Sequence, residues 1–173
     1  MAKADISIVG GDAVTPRQNF YVDDRTTSSA SATIKPGEPV KLEDAAGGNN
    51  FALLLATGEP NVTSTTRFVG IAEDESDETS AADGSVNVAI VVPYITKLRC
   101  KAHTGTNINT VAKIKLLTGD AVTFDLTSSK FTVNEDEGDD PNDHGLVMVD
   151  FDIEKGLVDF YVKPLTTLLG NSY

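Results

Sequence analysis

From His144 to Lys163 apolar and polar positions alternate with a period of two, the pattern of a strand with one buried and one wet face. Val147, Val149, Phe151 and Ile153 fall on one face, and Met148, Asp150, Asp152 and Glu154 on the other. Glu154-Lys155-Gly156 supplies a short turn with a glycine able to take positive φ. The return run sets Val158, Phe160 and Val162 against Asp159, Tyr161 and Lys163, until Pro164 removes a backbone donor and ends the ladder. The pattern predicts a β-hairpin that buries Val147, Val149 and Phe151 on its first strand.

A second hairpin is predicted upstream. Phe68-Val69-Gly70-Ile71-Ala72 is followed by an acidic loop, and then by Val86, Val88, Ile90 and Val92 in alternation, stopped by Pro93. Each hairpin has a similar entry, Gly37-Glu38-Pro39-Val40-Lys41-Leu42 before the first and Gly119-Asp120-Ala121-Val122-Thr123-Phe124 before the second. The copies lie 82 residues apart at the glycines (119 − 37) and 72 at the returning strands (158 − 86), so their loops differ in length. The expected fold is all-β, a small antiparallel β-barrel or sandwich. It is built of two similar hairpin modules, about 34–93 and 94–164, within a β-domain over 34–173. Helix is expected only as a turn near Leu165 to Leu169.

Residues 1–33 read differently. Arg25 to Thr33 is small and polar with almost nothing to bury, which describes a linker or an extended N-terminal arm. Phe20, Tyr21 and Val22 are costly to leave in water. They are therefore candidate contacts through which such an arm is ordered against a partner or a neighbouring copy.

A chain of 173 residues with 40% hydrophobic content suits one domain with a core of its own. No run approaches the roughly 18 apolar residues of a spanning helix, so no membrane partner is expected. Met1 to Asp5 has no apolar segment that would mark the chain for secretion. The net charge of −12 repels phosphate backbones, which argues against a nucleic-acid partner.

Against that acidic background, Lys97, Arg99 and Lys101 alternate with Leu98, Cys100 and Ala102, so a strand here presents three cations on one face. These cations either guard an edge strand or meet an acidic partner or the acidic loops of a neighbouring copy. The loops at Glu73 to Glu78 and Asn134 to Asp143 are dense in carboxylates, but their spacing fits no standard calcium loop. They read first as solvated connections. One cysteine and two histidines without ligand spacing predict no disulfide and no metal site. No nucleophile motif or phosphate-binding loop occurs, so the chain is expected to be no enzyme and to need no cofactor.

Taken together, Gly37-Glu38-Pro39-Val40, the run Phe68 to Ala72 with its acidic continuation, and Ser85 to Val91, echoed by Gly119-Asp120-Ala121-Val122, resemble a known group. It is the capsid decoration, or cement, proteins of tailed bacteriophages, broadly similar to the lambda head protein D group. The resemblance covers roughly residues 35–163 and rests on turn-and-strand signals. It implies a structural virion protein that binds the major capsid protein on the outer face of the assembled head and stabilises it. It also implies a homo-oligomer, commonly a trimer, found in the host cytoplasm before assembly and on the virion afterwards. A host-surface binding module of a phage head or tail fibre is the alternative. High negative charge suits a protein that must stay soluble and avoid nucleic acid before it assembles.

Overall fold

The computed structural model describes residues 5–23, 33–42, 52–61 and 67–164. Strands account for 45% of these residues and helices for 11%, so the fold is all-β as the alternation predicts. Twelve strands follow in order: β1 (Ser7–Gly10), β2 (Arg17–Val22), β3 (Pro39–Leu42), β4 (Ala52–Leu54), β5 (Arg67–Ala72) and β6 (Gly84–Ile90), then β7 (Lys97–Lys101), β8 (Ala121–Val122), β9 (Phe124–Thr127), β10 (Lys130–Val133), β11 (Leu146–Asp152) and β12 (Leu157–Val162). A short helix, α1 (Val111–Leu117), starts at Thr110, whose side chain accepts a hydrogen bond from the Lys113 N–H. The turn expected near Leu165 to Leu169 lies outside the described residues.

Two five-stranded antiparallel sheets make up the sandwich, with strand orders β2-β6-β5-β3-β4 and β1-β7-β12-β11-β8, and β9 pairs with β10 in a separate hairpin. Neither five-stranded sheet closes into a barrel among the described residues. The two orders contain the same motif. In each, the first strand of a module (β2, β7) lies beside the fourth (β6, β12), which pairs with the third (β5, β11), which pairs with the second (β3, β8). Three consecutive antiparallel neighbours and one strand reached by a longer connection are the Greek-key arrangement. β4 extends one module and β1 extends the other.

The repeated G-[ED] entry has a structural counterpart. Gly37 and Gly119 both take left-handed backbone (φ 84 and φ 95). The Gly37 N–H donates to the Ala72 carbonyl at 2.8 Å, and the Ala72 N–H donates back to the Glu38 carbonyl at 3.0 Å. In the second module Gly119 donates to Met148 at 2.8 Å, and Met148 donates back to Asp120 at 3.1 Å. Both motifs therefore clip the entry strand onto the first strand of their hairpin. Glycine is the residue that reaches this conformation at little steric cost.

The pattern places the first strand of the first module, β2, outside it, in the arm, and that of the second, β7, inside it. Residues 7–22 are not an arm: β1 pairs with β7 and β2 pairs with β6. The first module begins at β2 rather than at residue 34, because Phe20 and Val22 bury against its sheet, and of the three candidate contacts Tyr21 alone faces solvent. Of the polar run, residues 25–32 lie outside the described residues.

On β11 the buried positions are Leu146 and Met148, and Val147 and Val149 are only partly buried. The expected faces are therefore reversed there. Val149 is an extra residue: Met148 opposes Phe160, but Asp150 already opposes Asp159. This β-bulge shifts the phase of the strand, so Phe151, partly buried, returns to the core side opposite Val158. Val158, Phe160 and Val162 on β12 are buried as expected, and Gly156 turns the hairpin with φ 64.

Two apolar clusters result. One lies between the sheets and joins Phe68, Ile71 and Val91 of the first module to Leu98, Phe124, Phe131, Met148 and Phe160 of the second. Phe124 is its hub, with edge-to-face contacts to Phe68, Phe131 and Phe160 at centroid distances of 6.3, 6.1 and 5.4 Å. The other cluster, with Phe20, Val22, Val40, Val69, Val86 and Val88, belongs to the first sheet alone. That sheet curls, so that its edge strands β2 and β4 approach each other.

Candidate functional site

The alternation of β7 holds in space: Leu98 and Cys100 are buried, while Lys97, Arg99 and Lys101 point to the outer face of the second sheet. Register places Asp159 of β12 opposite Arg99. The guanidinium grips it in two places, Nε to Oδ1 at 2.5 Å and Nη2 to Oδ2 at 3.0 Å, and Lys97 Nζ lies 3.3 Å from Oδ2. Asp159 is 2% exposed and is covered by these two cations. The hydrogen bond to Asp159 raises the Arg99 pKa above its ordinary value. Lys101 is exposed and makes no salt bridge among the described residues.

Lys101 and Arg99 open onto a cavity of about 710 Å³. Three further cations come to it from elsewhere in the chain: Lys35 from the turn before β3, Lys130 from the β9–β10 hairpin and Lys155 from the β11–β12 turn. Five of the 14 basic side chains of the chain thus line one cavity, against two acidic ones among the described residues, Asp5 and Glu38. Both carboxylates are tied to the backbone. Asp5 Oδ2 accepts from the Phe131 N–H at 3.0 Å, and Glu38 Oε2 accepts from the Lys35 N–H at 2.8 Å. Burial pushes the Glu38 pKa up. Lys155 pairs with Asp152 at 3.1 Å. The β9–β10 turn beside the cavity holds Ser128 and Ser129 at φ 53 and φ 61, a two-residue turn of the primed kind in which both residues must be left-handed.

Cys100 reaches the same cavity with little chemistry to offer. Its side chain is buried, Sγ donates to the Phe131 carbonyl at 3.2 Å, and burial pushes its pKa up to about 12. A thiol held protonated is a poor nucleophile.

Exposed apolar side chains stand on two neighbouring segments, and one of them, Val9, lines the cavity. Val9, Val14, Tyr94 and Ile95 are four of the eight large hydrophobic side chains exposed among the described residues. They sit on two segments that touch: a Cβ on Gly11 would lie 2.4 Å from the Ile95 carbonyl oxygen, and Thr15 Oγ1 is 3.0 Å from Thr96 Oγ1. Tyr94 itself takes φ 56, an uncommon conformation for a residue other than glycine or asparagine.

The other anticipated contacts are placed elsewhere. Phe20 and Val22 lie in the core of the first sheet and Tyr21 stands exposed on its strand, so the three form no common surface. Carboxylates of the acidic loops accept hydrogen bonds from backbone N–H groups. Asp74 accepts from the Asn87 N–H at 2.8 Å, Asp77 from Ser85 at 2.6 Å, buried Glu135 from His103 and Thr104 at 2.8 and 2.6 Å, and Asp139 from Ala121 at 2.7 Å. No cluster suited to a metal ion occurs among the described residues. No protein-family model, no curated protein and no solved structure matches this chain.

Proposed function

We propose that this chain is a structural virion protein that binds the outer surface of an assembled phage capsid and stabilises it. In this reading its partner is the major capsid protein, it acts as a homo-oligomer, a trimer, and it passes from the host cytoplasm to the virion surface. The observation that carries the reading is the exposed apolar group of Val9, Val14, Tyr94 and Ile95, on two touching segments of a strongly acidic protein. Apolar side chains grouped on a surface mark a place where another macromolecule excludes water. The resemblance of the G-[ED]-x-V entries and their hairpins to cement proteins supports the shell as that macromolecule. Binding of this kind asks for rigid, repeated β-modules and for no bond-making chemistry.

The test is co-sedimentation with expanded capsids. The intact protein is expected to pellet with them, and a Val14→Asp, Ile95→Asp variant to remain in the supernatant while keeping its far-ultraviolet spectrum. A protein that ignores capsids and instead binds host cells would support the fibre-module alternative and overturn this reading.

A further inference from the structure

From the basic cavity we infer a binding site for an acidic segment of a partner protein, one that carries several carboxylates along a short stretch of chain. The inference rests on the reading of this chain as a protein that binds other proteins, and it adds the chemistry of the contact.

The distribution of charge leads to it. The chain as a whole carries −12, yet five of its 14 cations line one opening. Two carboxylates of the described residues, both engaged with backbone N–H groups, join the lining, and Asp152 and Asp159 pair with Lys155 and Arg99. Lys35, Arg99, Lys101, Lys130 and Lys155 come from four separate stretches of chain, so no single strand pattern produces the cluster; the fold gathers it. One local requirement accounts for part of it, since Arg99 neutralises buried Asp159. Lys35, Lys101 and Lys130 have no such role: none makes a salt bridge among the described residues.

Exposure decides what kind of anion fits. Lys35, Lys101, Lys130 and Lys155 are all exposed, so the positive charge stands on a rim and not on a buried floor. A small anion held by solvated lysines alone gains little, because each such pair contributes only a few tenths of a kcal/mol to about 1 kcal/mol. A segment with carboxylates spaced along it sums several of these contacts at the entropic cost of one docking event. The floor agrees with a peptide, since Pro36 and Leu157 offer apolar surface between the charges, and exposed Val9 adds to it. The remaining surface of this acidic protein repels such a partner. It is admitted only through this face, which fixes its orientation as well as its approach.

The test uses the full chain and a fluorescent hexaglutamate peptide followed by anisotropy. Saturable binding is expected, with no binding of a hexaglutamine control, and with affinity falling about tenfold between about 50 mM and about 300 mM salt. Lys101→Glu together with Lys130→Glu should weaken binding at least about tenfold, whereas Lys113→Glu with Lys115→Glu on α1 should change it less than about twofold. Thermal melts of both variants check that each is folded. The inference is overturned if the first variant binds as the wild type does, or if the α1 variant loses as much. It is equally overturned if inorganic phosphate displaces the peptide at a similar concentration, which would make this a small-anion site. Competition by the peptide Asn134–Asp143 of this chain would support the inference with a second copy as the partner. Loss of peptide binding with capsid binding retained refutes this inference alone. Loss of capsid binding with peptide binding retained refutes the functional reading alone.

Discussion

The two Greek-key modules share a strand order and an entry clip, and they differ in what lies on their faces. In the first, every residue from Phe68 to Ala72 is buried, because β5 has the inter-sheet core on one side and the module's own cluster on the other. In the second, β12 buries Val158, Phe160 and Val162 toward the shared core, while its other face carries Asp159 beneath Arg99 and Lys97. One module has curled around a cluster of its own. The other has kept a single apolar face and turned the opposite face over to charge. A repeated topology therefore leaves one face free to diverge, and the basic cavity opens where the charged face of the second module meets the entry turn of the first.

The strongest way to break this comparison is at the shared core. Phe124 and Leu42 occupy the same place in the two entry motifs, yet Phe124 is fully buried as the hub of four aromatic rings and Leu42 only borders the first module's cluster. Phe124→Ala should cost about 4–5 kcal/mol and Leu42→Ala about 2 kcal/mol, measured by urea denaturation. Both variants should unfold in one transition, since the inter-sheet core belongs to both modules. Two separate transitions in either would show that the modules fold independently.

Gly70 sharpens the contrast between the hairpins. A Cβ at this position would stand 1.9 Å from the Ala89 carbonyl oxygen, a backbone atom that cannot swing aside. The first strand of the other hairpin, β11, instead carries Val149 in a bulge. Gly70→Ala is thus expected to destabilise by about 3 kcal/mol, the upper end of ordinary overpacking costs, whereas Val149→Ala should cost under about 1 kcal/mol. Comparable losses for the two would mean that β5 and β6 can separate as freely as the bulged hairpin does.

On the charged face, Asp159→Ala removes the acceptor for Arg99 and Lys97 from beneath them. Because both cations remain partly in water, the expected loss is about 2 kcal/mol, less than for a fully buried pair. Asp159→Asn should recover part of it by keeping one acceptor. A loss near zero for the alanine variant would show that the face is held by strand pairing alone.

The sequence made the second hairpin legible because β12 alternates without interruption and Gly156 punctuates it. It misled on β11, where Val149 is one residue too many for a period of two and nothing in its type announces a bulge. β2 was legible in principle, since Phe20 and Val22 alternate with Asn19 and Tyr21. Its neighbour, the polar run from Arg25, made an isolated pair of apolar residues look like part of a linker. α1 is seven residues long and lies on an exposed excursion, too short for its periodicity to register. Of the cavity only Arg99 and Lys101 could be read, because they share a strand. Lys35, Lys130 and Lys155 sit singly in turns, where a lysine is the ordinary solvated choice, and only the fold brings them together.

The smallest effect probes the entry clip that the modules share. Glu38 and Asp120 hold the acidic place in the two motifs, and burial raises the pKa of each, with Asp139 adding repulsion at Asp120. A carboxyl whose folded pKa lies above its unfolded value binds its proton more tightly in the folded chain. Its favourable contribution is complete below the unfolded value and disappears as the pH rises through the folded one, so at neutral pH the ionised group is a liability. Glu38→Gln keeps an oxygen to accept the Lys35 N–H and removes the buried charge. It should therefore raise Tm slightly at pH 7, by well under about 1 kcal/mol in stability, and the advantage should shrink as the pH falls toward the ordinary glutamate value of 4.5. Asp120→Asn is expected to follow the same course on the other module. A Glu38→Gln gain that grew on acidification would reverse the sign and show that the carboxylate, and not the carboxylic acid, is the form that the first clip prefers.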